Sequence, residues 1–131
     1  MKKKIILSIL FIISLTPMLL EQFGTVKGVQ AVSGLMNLFN PLGVLSVLLF
    51  IIGVWGTFGS KKANKILCLL GLCGIVISEI YNFFTWHIYT ITGEFSFTTS
   101  LNFVFPEFYI GLSASIIMII VYCFIDKNNK N

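Results

Sequence analysis

The sequence predicts an all-α integral membrane protein built as a four-transmembrane-helix bundle. Of its 131 residues 56% are hydrophobic and only 11% charged, with a mean hydropathy of +0.95, whereas a soluble domain carries about a quarter charged residues. Four uncharged or nearly uncharged runs of 16 to 21 residues divide the chain, long enough at about 1.5 Å per residue to approach a hydrocarbon core of about 30 Å. Eight of the nine lysines fall before, between or after these runs so as to share one side of a membrane, the pattern of cytoplasmic lysine enrichment.

The first span covers 5–20. Lys2, Lys3 and Lys4 followed by the apolar stretch 5–15 also fit a signal peptide, but no small-x-small cleavage pattern precedes Glu21, so a retained signal-anchor helix is expected. The outer loop 21–40 has Val29, Val32, Leu35, Met36 and Phe39 at helical spacing opposite Gln30, Ser33, Asn37 and Asn40, which predicts a short interfacial helix. The second span, 41–60, opens on Pro41, where a missing N–H costs nothing. Lys61, Lys62 and Lys65 make the inner loop 61–65, and the third span follows at 66–86. In the outer loop 87–107, β-branched and aromatic residues flank Gly93, Glu94 and Phe95, which predicts a β-hairpin pairing 88–92 with 96–100. Pro106 precedes the fourth span, 108–125, and 126–131 form an inner tail ending with Lys127 and Lys130. The whole is a single membrane domain with both termini cytoplasmic, expected in a bacterial plasma membrane.

Charge placement excludes one function class. The formal +4 divides into +7 on the inner side, −2 on the outer side and −1 in the core, so no face is organised for nucleic acid, and without arginine the chain lacks the bidentate reader of phosphates and base edges. Cys68, Cys73 and Cys123 all lie in apolar runs with no paired spacing, which predicts packing rather than disulfides or zinc. No haem-ligand pair, phosphate-binding loop or nucleophile elbow is complete, and neither cofactor nor metal is expected. His87, just beyond the third span, has Glu94 and Glu107 as conceivable metal or pH-sensing partners; a solvated interfacial histidine is the expectation.

Small and hydroxyl residues recur on one face of three spans: Gly43, Ser46, Phe50, Gly53, Thr57 and Ser60; Gly71, Gly74, Ser78, Asn82 and Thr85; and Gly111, Ser115, Met118 and Tyr122. Small residues let membrane helices approach closely, so Gly43, Gly53, Gly71, Gly74 and Gly111 are expected at helix contacts. Glu79 stands out, because an acid inside a span costs at least about 2.5 kcal/mol and turns to a bundle interior or to water. Counting about 1.5 Å per residue from Ile66 places it roughly 20 Å from the inner edge. At that depth the sequence predicts a polar layer of Glu79, Asn82, Ser78, Ser46, Ser113 and Ser115, with Ser14 and Thr16 of the first span nearby and Asn82 donating to the Glu79 carboxyl.

In size and helix number the chain resembles the small multidrug-resistance transporters, whose essential membrane acid is on the first helix; here the acid is on the third. By size it is similar to small bacterial immunity and accessory membrane proteins. The expectation is a non-enzymatic accessory or protective protein, acting through helix packing and outer loops on a membrane-protein partner or a peptide toxin. The alternative is a homo-oligomeric transporter or channel with Glu79 as its coupling site.

Overall fold

A computed structural model describes residues 1–56 and 59–127; Thr57 of the second span's packing stripe and Lys130 of the tail lie outside them. The chain is mostly helical. In order it forms α1 (Lys2–Leu15), a 3-10 turn (Thr16–Leu19), β1 (Glu21–Phe23), β2 (Val32–Ser33), α2 (Met36–Phe39), α3 (Pro41–Trp55), α4 (Lys61–His87), a π turn (Ile88–Thr92), α5 (Phe97–Asn102) and α6 (Pro106–Lys127). Two stretches are long and apolar enough to cross a membrane, Lys61–Thr92 and Pro106–Lys127; α3 is apolar but shorter.

Helix ends differ from the expected spans for local reasons. Pro17 has no N–H to donate, and α1 gives way at Leu15 to the 3-10 turn. α3 stops at Trp55 rather than at 60, because Gly56 turns extended while its N–H still closes on the Ile52 carbonyl. α4 begins five residues before the expected position: Ser60 caps it by accepting from the Ala63 N–H, and lysine and alanine are good helix formers whatever their charge. It continues through the π turn until Gly93, whose φ of +69° ends it.

The four long helices form a ring in which α1 meets α3 and α6, and α4 meets α3 and α6. At one end Asp126 pairs with Lys3 and Lys65, the Trp55 indole N–H donates to Ser8, and Lys4 lies over the Trp55 ring. The starts of α1 and α4 therefore sit beside the ends of α3 and α6, so α1 and α4 run opposite to α3 and α6. Phe11 of α1 stacks on Phe50 of α3 at 4.1 Å between centroids. Within the α3–α4 contact, a β-carbon at Gly71 would lie 2.6 Å from the Ser46 carbonyl oxygen and the Phe50 nitrogen, and one at Gly53 2.6 Å from the Cys68 nitrogen.

At the opposite end the two connecting segments fold together as a cap. β1 and β2 are antiparallel, and the register slips between Glu21 and Phe23. A regular strand alternates its side chains; the slip lets both Gln22 and Phe23 turn inward, each fully buried. On the other edge of β1 the Gly24 N–H donates to Phe103 and the Phe105 N–H to Gln22. Phe23 packs with Phe83, Trp86 and Phe108 into a second core below the cap.

Both loop expectations need correction. The first loop does not form an interfacial helix over 29–40: Gly28 and Gln30 have positive φ, 76° and 58°, Val32–Ser33 pair as a strand, and only Met36–Phe39 are helical. The second loop holds no hairpin. Thr90 donates to the Trp86 carbonyl and Thr92 to that of His87, which continues the helical winding, and Ser96 caps α5 by accepting from Thr99.

Candidate functional site

Between the bundle and its cap lies a layer of buried polar side chains. Asn37 stands at its centre: its Nδ2 donates to Gln22 Oε1 at 3.0 Å, its Oδ1 accepts from Asn82 at 2.8 Å, and its carbonyl accepts from Ser78 Oγ at 2.6 Å. Asn40 donates to Ser78 at 2.6 Å while its Oδ1 accepts from the Gly43 N–H, capping α3. Gln22 donates in turn to the Pro17 carbonyl at 3.3 Å. One chain of bonds thus ties the 3-10 turn, β1, α2, the start of α3 and the middle of α4.

Glu79 borders this network but is not bonded into it. It is 0% exposed, and neither carboxyl oxygen has a hydrogen-bond partner among the described residues. Ser115 of α6 faces the carboxyl, though its Oγ is also without a partner at bonding geometry. Gly111 opens the space above: a β-carbon there would stand 2.7 Å from Gln22 Nε2 and 3.4 Å from Glu79 Oε1. The carboxyl is therefore set among polar neighbours that stop short of it, an arrangement able to accept or release a proton, or to take a donor, without first breaking an internal bond.

Several expectations about the layer change. Asn82 donates to Asn37, not to Glu79, because α2 folds down over α4 and offers an acceptor there. Ser46 turns back to the Leu42 carbonyl and serves as a contact for Gly74, whose β-carbon would lie 2.1 Å from Ser46 Oγ. Ser113 is exposed, on the outer side of α6. Ser14 bonds to Phe11, and Thr16 is exposed and bonds to Ile13. Gly43 packs against the Asn37 carbonyl of α2, and Gly53 and Gly71 lie in the α3–α4 contact described above.

Of the layer's other members, the sequence places Gln22 within the outer loop 21–40 and Asn37 and Asn40 on the polar side of an interfacial helix. His87 likewise departs from its expected solvated position. It is 0% exposed, with ring nitrogens 3.0 Å from Thr92 Oγ1 and 2.9 Å from Ser100 Oγ. Of its two conceivable partners, Glu107 is paired with Lys27 instead. The described residues contain no group of three or more metal-ligating side chains.

No known family, characterised protein or solved structure matches the chain. The geometry offers a largely buried polar layer, a carboxyl at its border, and an ordered cap above both.

Proposed function

We propose that the chain is a four-span protein of the cell membrane, lysine end in the cytoplasm, and that it serves as a non-enzymatic accessory or protective protein recognised through its cap. The membrane reading is supported by the outward faces of all four long helices, where Ile5, Ile9 and Ile12, Val44, Leu48 and Ile51, Leu70, Ile77 and Ile80, and Ile110, Ile117 and Ile120 are exposed while Glu79, Asn82 and Ser115 are buried. Such a surface is stable in lipid and costly in water. α1 with its 3-10 turn reaches about 29 Å. α3 alone reaches roughly 22 Å, which local thinning and the helical turn of α2 at its start accommodate.

The observation that carries the functional reading is the cap: two segments some seventy residues apart are hydrogen-bonded into one ordered surface over the bundle, with Val29, Phe39, Tyr89 and Phe95 exposed on it. Exposed apolar side chains on an ordered cap suit contact with a membrane-protein partner or a peptide toxin. Copurification from mild detergent tests this. A stoichiometric partner lost on Phe39→Ala with Phe95→Ala, or toxin sensitivity on deletion, is the expected result. A monomer without phenotype removes the proposal. Orientation is checked separately: an impermeant maleimide should label Thr25→Cys in intact cells and Lys62→Cys only after permeabilisation.

A second reading is supported by the unpartnered Glu79 carboxyl: an oligomeric transporter coupled to that group. Flux into proteoliposomes that disappears in Glu79→Gln favours it, and unaltered flux ends it.

A further inference from the structure

At the lysine end the ring of helices opens into a cavity of about 890 Å³, lined by Lys3, Lys4, Lys61, Lys62 and Lys65 with Asp126, and floored by Leu7, Val54, Cys68 and Tyr122. Its size is that of a small-molecule pocket. We propose that this cavity binds the phosphodiester head group of an anionic phospholipid, a reading that rests on the membrane insertion argued above but not on the accessory role. Among the described residues, five lysines and one carboxylate, that of Asp126, line this recess. Asp126 is engaged by Lys3 and Lys65 and Lys4 lies over Trp55, while Lys61 and Lys62 have no ion-pair partner among the described residues.

The floor matters as much as the rim. Lysines that only oriented the helices would have no need to surround a recess, whereas a cationic mouth over an apolar floor matches a phosphate joined to acyl chains. Asn64, on the same wall, donates to the Gly56 carbonyl at 3.1 Å and has a buried Oδ1 without a partner among the described residues. An acidic peptide fits less well, since it would bring many backbone N–H and C=O groups to a floor of Leu7, Val54, Cys68 and Tyr122, which offers one hydroxyl and one thiol.

The test uses the full chain in detergent, titrated with phosphatidylglycerol, phosphatidylcholine or glycerol 1-phosphate and read by native mass spectrometry. One phosphatidylglycerol should be retained in preference to phosphatidylcholine, and free glycerol phosphate should not displace it. Lys61→Gln with Lys62→Gln should weaken retention about thirtyfold, taking roughly a factor of five per lysine near an anionic head group. Lys27→Gln at the other end should change nothing, and Lys61→Arg with Lys62→Arg should retain the lipid, which separates lost charge from lost fold. Equal retention of phosphatidylcholine, an unaffected glutamine pair, or saturation by glycerol phosphate at lipid-like concentrations overturns the proposal, the last by assigning the site to a soluble phosphate. Failure of membrane insertion itself would appear in the maleimide experiment, not here.

Discussion

Asn37 uses both ends of its amide and its own carbonyl to hold Gln22, Asn82 and Ser78, so its removal strands more than itself. Asn37→Ala leaves Gln22 Oε1 and Asn82 Nδ2 buried without partners, at about 1–3 kcal/mol for each group. A total loss of about 2–6 kcal/mol is expected in unfolding titrations in mixed micelles, and Asn82→Ala should cost less. The double variant should be less destabilised than the sum of the two, with a coupling of about 1 kcal/mol or more; strict additivity would show that water replaces the bonds. Glu79→Gln has the opposite expectation. An amide keeps the shape, removes an acid that has no partner, and should leave the midpoint unchanged or raised; a loss of more than about 1 kcal/mol would mean that the carboxyl has a bonding role. The sequence made Ser78, Asn82 and Glu79 visible because a polar residue in an apolar run is conspicuous. Gln22, Asn37 and Asn40 gave no such signal. In a polar loop their burial depends on how the loop closes over the bundle, and nothing in local spacing reports that.

Among the elements, α3 and α4 share the largest helix contact in the molecule, and its closeness rests on positions without side chains. A methyl at Gly71 would meet backbone atoms of α3 at 2.6 Å, and backbone cannot swing aside as a side-chain end can. Gly71→Ala should therefore lower stability by about 1–3 kcal/mol through forced separation of the helices, despite the better helix propensity of alanine. Cys73→Ala, on the exposed side of the same helix, should be near neutral; equal effects would place the cost in α4 alone. This packing face is legible in sequence because Gly71, Gly74, Ser78 and Asn82 recur at helical period, and all four are buried. Helix ends are less legible. Charge suggested where α4 begins, but Ser60 as a cap decides it, and β-branched residues suggested a hairpin where threonine hydroxyls bond to the preceding turn. Propensity is outweighed wherever a side chain supplies a local hydrogen bond.

For the whole molecule, the distribution of contacts implies an order of opening that chain order does not. α1 is held through the Phe11–Phe50 stack, the Trp55–Ser8 bond and the Asp126–Lys3 pair, the last two partly exposed and individually worth at most about 1 kcal/mol. β1 follows α1 after only the 3-10 turn, yet its anchors are elsewhere: Phe23 among Phe83, Trp86 and Phe108, Gln22 on Asn37, and its outer edge on 103–105. The cap belongs mechanically to α4 and α6. Hydrogen exchange under increasing denaturant should therefore show 2–15 losing protection first, 21–24 and 103–105 opening together, and 66–80 with 43–54 last, since local opening follows the density of buried contacts. If 21–24 exchanged with 2–15 instead, the cap would be an extension of the first helix and not a structure built across the bundle. A partner bound to the cap, as proposed, would then sense the position of α1; with the order expected here, it would sense the α4–α6 pair, whose facing side chains are Glu79 and Ser115. On that order the cap and the buried carboxyl share a mechanical base, so a partner of the kind proposed, bound at the cap, should slow exchange at 76–82 while leaving 2–15 unchanged.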